Sequence, residues 1–196
     1  MTKLFCLCAG LGVFSVRVGM AQNPPAPPPA PAAQPAARPA PATPQIDCKW
    51  LSVDSATKTA TLQLIAGLTG LNGALNFNGF KDGGLTFTVP VNWNVVVNFT
   101  NNDGMLPHSA EVIDSVKPMP AGPVDPAFPR AQTVRLAEGL APLEKDSFHF
   151  TANKAGTYLI FCAVPGHGLA GMWIRFKVSA TEKQPTLTAT AAAGGR

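Results

Sequence analysis

The chain has 196 residues, with 15 Lys+Arg against 11 Asp+Glu, a formal net charge of +4 and only 13% charged residues. That length suits one domain with tails, and so small and scattered a charge excludes a nucleic-acid surface. The 20 prolines and 18 glycines argue against a helical protein, and four cysteines are too few for a dense disulfide framework.

Residues 1–21 read as an export signal. Lys3 supplies the positive start, residues 4–16 are apolar, and Gly19-Met20-Ala21 places small residues three and one positions before a cut after Ala21. The alternative is an uncleaved anchor, against which stand Arg17 and a core shorter than the ~18 apolar residues of a span. Cys6 and Cys8 lie too early for a lipoprotein site. Cleavage would remove Lys3 and Arg17 and leave 13 basic against 11 acidic residues, or +2. Residues 22–45 then form a Pro/Ala-rich linker: ten prolines deny it backbone donors and a core, so an extended spacer reaching roughly 70 Å is expected. The folded unit is placed at 46–180, followed by a flexible tail at 181–196.

Within that unit, short strands alternate with turn signals. Residues 49–53 and 59–66 flank Asp54-Ser55-Ala56, which predicts an opening hairpin. At 85–89, Leu85, Phe87 and Val89 alternate with threonines; at 93–99, Trp93, Val95, Val97 and Phe99 share one face opposite Asn94 and Asn98. Residues 147–151 turn Phe148 and Phe150 inward and His149 outward, while 157–163 is a nearly continuous apolar run, as in a central strand. After Gly171, Ile174, Phe176 and Val178 face inward and Arg175 and Lys177 outward. The fold class is therefore all-β, a sandwich or barrel. Residues 115–132 carry five prolines and no strand pattern, which predicts a long loop.

The chemistry-bearing stretch is Phe161-Cys162-Ala163-Val164-Pro165-Gly166-His167-Gly168-Leu169-Ala170-Gly171-Met172, a Cys-x4-His-x4-Met spacing in a Gly-rich turn between two strands. His108 stands 54 residues before Cys162, after Leu106-Pro107. A soft thiolate, two imidazoles and a weak thioether are the donors of a type 1 copper site. Met172 shares parity with the inward Ile174, Phe176 and Val178, so its thioether should face the interior. Singly, each residue has an ordinary structural reading; His149 is read as a surface residue.

This stretch resembles the copper loop of the cupredoxins, and in particular of the sulfocyanin and rusticyanin-like group. Asn76-Phe77-Asn78-Gly79, Val89-Pro90 with Trp93, Leu106-Pro107-His108-Ser109 and Val164-Pro165-Gly166-His167 carry the likeness over about residues 59–179. The resemblance implies a Greek-key β-sandwich holding one copper through His108, Cys162, His167 and Met172. Ser109 stands where many cupredoxins have Asn, and is expected to touch the thiolate. The function implied is an electron carrier cycling Cu(II)/Cu(I) outside the cytoplasm, not an enzyme. Its partners would be redox proteins docking transiently on an apolar patch of Leu106, Pro107, Val164, Pro165, Leu169 and Ala170, framed by the Pro-rich loop with Met119 and Phe128. A monomer is expected, with membrane contact only through a tether. Copper oxidases and nitrite reductases need more histidines than His108, His149 and His167, and a binuclear copper domain needs a second cysteine where Gly166 stands. A copper-delivery module is the alternative. Cys48 is left as an inert thiol or an intermolecular disulfide.

Overall fold

The computed structural model describes residues 44–190. The expected signal, nearly all of the linker and the last six residues lie outside the described residues. Nine strands run β1 (Leu51–Asp54), β2 (Thr59–Ala66), β3 (Leu85–Pro90), β4 (Trp93–Asn101), β5 (Glu111–Asp114), β6 (Lys145–Ala152), β7 (Gly156–Phe161), β8 (Trp173–Ser179) and β9 (Thr186–Ala189), with no α-helix among the described residues.

They form two sheets, β1-β2-β4-β6 and β5-β7-β8-β3-β9. Each sheet has one parallel pair, β2 with β4 and β3 with β8, while the other ladders are antiparallel. Two packed sheets of this order are the Greek-key sandwich that the resemblance implies. The four-stranded sheet follows the alternation in its sequence. Ala60, Leu62, Leu64 and Ala66 of β2, Trp93, Val95, Val97 and Phe99 of β4, and Phe148, Phe150 and Ala152 of β6 are buried, while Asn94 and His149 are exposed. A period of two puts every such side chain on one face, so the apolar set has one place to go.

The five-stranded sheet is covered on both faces. In β7, Tyr158 and Ile160 enter the main core, whereas Leu159 and Phe161 join Ile113 and Ala163 in a second cluster under Met119, Leu136 and Trp173. The Pro-rich loop supplies part of that outer cover. It does not, however, bring Phe128 to the expected place at the metal end: Phe128 enters the main core, 5.0 Å from the Phe150 ring and 4.7 Å from Tyr158.

Three local expectations are corrected. Residues 48–50 form a 3-10 turn, with Asp47 accepting the Lys49 amide at 2.9 Å, so the first strand starts at Leu51 rather than at 49. The segment 111–114, read as no element, pairs with β7. The tail expected from 181 contributes β9, whose residues 186–189 pair antiparallel with β3. An open sheet edge exposes unpaired amides and carbonyls, and β9 satisfies those of β3.

Candidate metal centre

Cys162 directly follows β7 and Met172 directly precedes β8, so the turn between these neighbouring strands carries three of the candidate residues. Its backbone folds back on itself. The Cys162 amide donates to the Met172 carbonyl at 3.0 Å, the Met172 amide to the His167 carbonyl at 3.0 Å, and the His167 amide to the Val164 carbonyl at 3.0 Å. Two glycines make this possible. Gly171 has φ +95°, which side-chain-bearing residues rarely adopt, and a Cβ on Gly168 would stand 2.7 Å from the Phe161 ring. The turn is also held from outside, by Asn72 Nδ2 on the Ala170 carbonyl at 2.7 Å and by the Asp82 amide on the Gly171 carbonyl at 2.8 Å.

His108 comes from the other side, on a short bridge with Leu140. Its amide donates to the Leu140 carbonyl at 3.1 Å, and the Leu140 amide returns the bond at 2.7 Å. Gly139 lies so close that a Cβ there would sit 2.9 Å from the His108 nitrogen.

The structure brings His108, Cys162 and His167 together, with one potential ligand atom from each within 4.8 Å of the others. Cys162 Sγ lies 3.4 Å from His167 Nδ1 and 3.9 Å from His108 Nδ1. Cys162, His108 and Met172 are fully buried, whereas His167 is half-buried at the surface. Met172 lies in the main core, as its parity predicts. His149 is exposed on β6, outside this cluster. Cys48 is a free, exposed thiol.

Ser109 touches the sulfur, as expected: its amide donates to Sγ at 3.4 Å, and its hydroxyl lies 3.9 Å away. That hydroxyl donates to the Leu136 carbonyl at 2.8 Å and accepts the Ala163 amide at 3.1 Å, which ties the His108 segment to the Cys162 segment.

One residue escaped the sequence reading. Asp103 Oδ2 lies 2.9 Å from His108 Nε2, with both side chains buried. Asp103 Oδ1 accepts the Met105 amide at 2.8 Å and the Leu106 amide at 3.2 Å, and Asn101 Oδ1 accepts the Asp103 amide at 3.0 Å. An Nε2–H donated to this carboxylate leaves the lone pair on Nδ1, the nitrogen that faces the sulfur.

Burial disfavours charge on the protein's own groups at this point. Burial pushes the Cys162 thiol up to about 11, outweighing the hydrogen bonds from backbone amides. Burial also pushes both histidines down, helped at His167 by the neighbouring His108, while the Asp103 carboxylate opposes the shift at both. Burial works to raise Asp103, but the His108 ring and the two backbone amides hold it below its ordinary value. Left to itself the site is a thiol between neutral imidazoles, and a metal ion bound there would displace the thiol proton. The donor set contains no carboxylate, which argues against calcium or magnesium; soft sulfur with two imidazoles suits copper.

A family profile described as the Sulfocyanin (SoxE) domain matches residues 47–189. The sulfocyanin of Sulfolobus acidocaldarius is 25% identical over 126 residues, which are 61% of this chain and 63% of that protein. The match thus spans less than two thirds of that relative's length. Among solved structures, rusticyanin from Thiobacillus ferrooxidans is 25% identical with a TM-score of 0.47, covering 67% of this chain and 88% of that one. Auracyanin from Roseiflexus castenholzii is 22% identical with a TM-score of 0.44, covering 65% of this chain and 99% of that one. On the profile, which takes in most of the chain and the whole of the site just described, the protein belongs to the sulfocyanin family of cupredoxins, blue copper proteins with one type 1 copper.

Proposed function

We propose that the protein is an electron carrier in which His108, Cys162 and His167 would hold a copper ion, with the Met172 thioether as a weak fourth donor. The observation that carries this reading is the convergence of Cys162 Sγ with the Nδ1 atoms of His108 and His167. Copper held by such donors supplies a one-electron Cu(II)/Cu(I) couple. The chain's own residues do the rest. Ser109 and the turn hydrogen bonds fix the sulfur and the rings in advance, so little need rearrange when the charge changes. The buried Met172, Phe161 and Val164 keep water away, which disfavours the more highly charged state.

His167 is the candidate ligand nearest the surface, and apolar side chains flank it in sequence and in the loop bearing His108. Leu169 is 57% exposed, Leu106 38% and Met105 86%, with Pro165 also exposed. A redox partner docks there briefly, its apolar tip against this patch, and exchanges one electron through the His167 edge. The chain carries three histidines, and only His149 lies outside the site, which speaks against a second copper centre of the kind copper oxidases require. The Lys3-led signal with a cut after Ala21 places the mature protein outside the cytoplasm. The Pro/Ala-rich segment then serves as a spacer, and the protein works as a monomer.

The test is the visible spectrum of the Cu(II)-loaded protein. An intense band toward the red, lost on reduction, is expected; a pale spectrum overturns the reading. Met172→Gln should lower the reduction potential and Met172→Leu should raise it, and shifts of the same sign would remove Met172 from the ligand set.

A further inference from the structure

A groove of about 370 Å³ opens on the outer face of the five-stranded sheet, beside the candidate ligand turn. Leu159, Leu169, Met119 and Trp173 line it with apolar surface, Lys117 and Arg175 line it with positive charge, and no carboxylate lines it. The Arg175 guanidinium lies 5.7 Å from the centre of the Trp173 ring and donates to the Gly83 carbonyl. Lys177, the next outward position of β8, is exposed and extends the positive strip.

Trp173 connects this groove to the candidate centre by two routes. It is the covalent neighbour of Met172. It also pairs in register with Phe161, the covalent neighbour of Cys162, and the two rings belong to one apolar cluster. The Cys162 amide closes the circuit on the Met172 carbonyl at 3.0 Å. Phe161 is fully buried, but Trp173 is only half-buried and presents its indole to the groove. An aromatic and an arginine on an apolar floor with a charged rim are the usual anchors of a protein interface.

We propose that this groove is a second docking face, at which an acidic redox protein exchanges one electron with the metal centre through Trp173. The reduced centre loses one electron, and the oxidised one-electron group of the acidic partner gains it; no bond is made or broken and no proton moves. The proposal rests on the electron-carrier reading, but the binding half of its test does not require the metal to cycle.

The experiment uses the full-length, copper-loaded protein in its reduced state, labelled with 15N. Hexacyanochromate(III), an anionic paramagnetic complex, is titrated in, with cationic hexaamminechromium(III) as control. The anion should broaden the amides of residues 115–119, 157–159 and 173–175, and the cation should not. Lys117→Glu, on an exposed loop, should abolish that broadening. It should also slow oxidation by hexacyanoferrate(III) on the order of tenfold at low salt, an effect that fades as ionic strength rises. Trp173→Leu should slow the same oxidation while leaving the visible band in place. Broadening confined to other surfaces, broadening by both complexes alike, or unchanged oxidation in both variants overturns the second face. A protein without the red band would instead overturn the carrier reading, whatever the broadening map shows.

Discussion

The two sheets solve opposite problems with the same residue types. The four-stranded sheet faces water on one side, so β2, β4 and β6 alternate: β4 is buried at Trp93, Val95, Val97 and Phe99 and open at Asn94. The five-stranded sheet is covered on both sides near the centre, and four consecutive residues of β7, Tyr158, Leu159, Ile160 and Phe161, are buried. Cys162, the next residue, inherits that dryness and is fully buried. A soft thiolate needs shielding from water and competing ligands, and the end of a doubly covered strand provides it. The difference also places the cost of failure: changes at that strand end should remove the chemistry and spare the fold, whereas changes between the sheets should do the reverse.

Cys162→Ser is the sharpest test of that division. A hydroxyl fills the same small volume but supplies no thiolate, so the intense band should vanish completely. The β-sheet circular dichroism should remain, because the sandwich core is built from Phe87, Phe99, Phe150 and Phe176. A blue Cys162→Ser protein would put the chemistry elsewhere. Phe176→Ala is the converse. Its ring sits 5.5 Å from Phe87, 5.7 Å from Phe150 and 6.0 Å from Tyr158, so its removal opens a cavity between the two sheets. A loss of about 3–5 kcal/mol in denaturant unfolding is expected, with the band position kept in the folded fraction. A loss under about 1 kcal/mol would mean that the sheets repack around the gap.

The outer cover of the five-stranded sheet has a weak point with no counterpart on the other sheet. Glu111 is fully buried, opposite Phe161 in the ladder and opposite Gln132 on a backbone bridge. One of its oxygens accepts the Val124 amide at 3.4 Å and the other has no partner; an oxygen of Gln132 is unpaired as well. Burial, reinforced by the negative charge of Asp125, raises its carboxyl from 4.5 to about 7. The folded form therefore holds its proton more tightly than the unfolded chain does. The stabilisation is complete below pH 4.5 and is lost as pH rises toward 7, by on the order of 3 kcal/mol. Glu111→Gln should flatten this dependence and be more stable than the parent at pH 8. Urea titrations at pH 5 and pH 8 check it, and a parent protein no less stable at pH 8 would show that the buried oxygens find partners.

How much of this could be read beforehand follows the same division. In the four-stranded sheet β2, β4 and β6 announce themselves by alternation, and β2 begins and ends where its pattern does. In the five-stranded sheet, β5 is a four-residue strand that starts on a buried glutamate and ends on an aspartate, and so offers no apolar period to read. Strand β9 is the tetrapeptide Thr186-Leu187-Thr188-Ala189, indistinguishable from a flexible Thr/Ala tail until the open edge of β3 is seen to need a partner. At the site, the Cys-x4-His-x4-Met spacing is local and therefore legible, and Pro107-His108-Ser109 is a short motif. The groove at Trp173 and the approach of Leu140 to His108 are products of tertiary packing alone.

Asp103 is the least legible residue of the site, and it enters from the end of the four-stranded sheet. It stands two residues beyond the end of β4, in a turn held by Asn101, and neither periodicity nor motif marks it. Its effect should be the smallest of these, but it is specific. The carboxylate accepts from His108 Nε2 inside a dry environment, where a charge-assisted bond is worth about 1 kcal/mol more than a neutral one. Negative charge behind the imidazole makes Nδ1 a stronger donor and favours the more highly charged metal state. Asp103→Asn keeps an acceptor of nearly the same shape and removes only the charge. The reduction potential should therefore rise by roughly 40 mV, since a tenfold change in a one-electron equilibrium is about 59 mV, while the visible band stays in place. Asp103→Ala removes the bond itself and frees the ring, so copper affinity should fall by about 10–100-fold in a chelator competition. Redox titration of the Asn variant separates charge from shape. A potential equal to the parent's, beside a weakened Ala variant, would mean that Asp103 acts by holding the His108 ring and that its charge does not reach the metal.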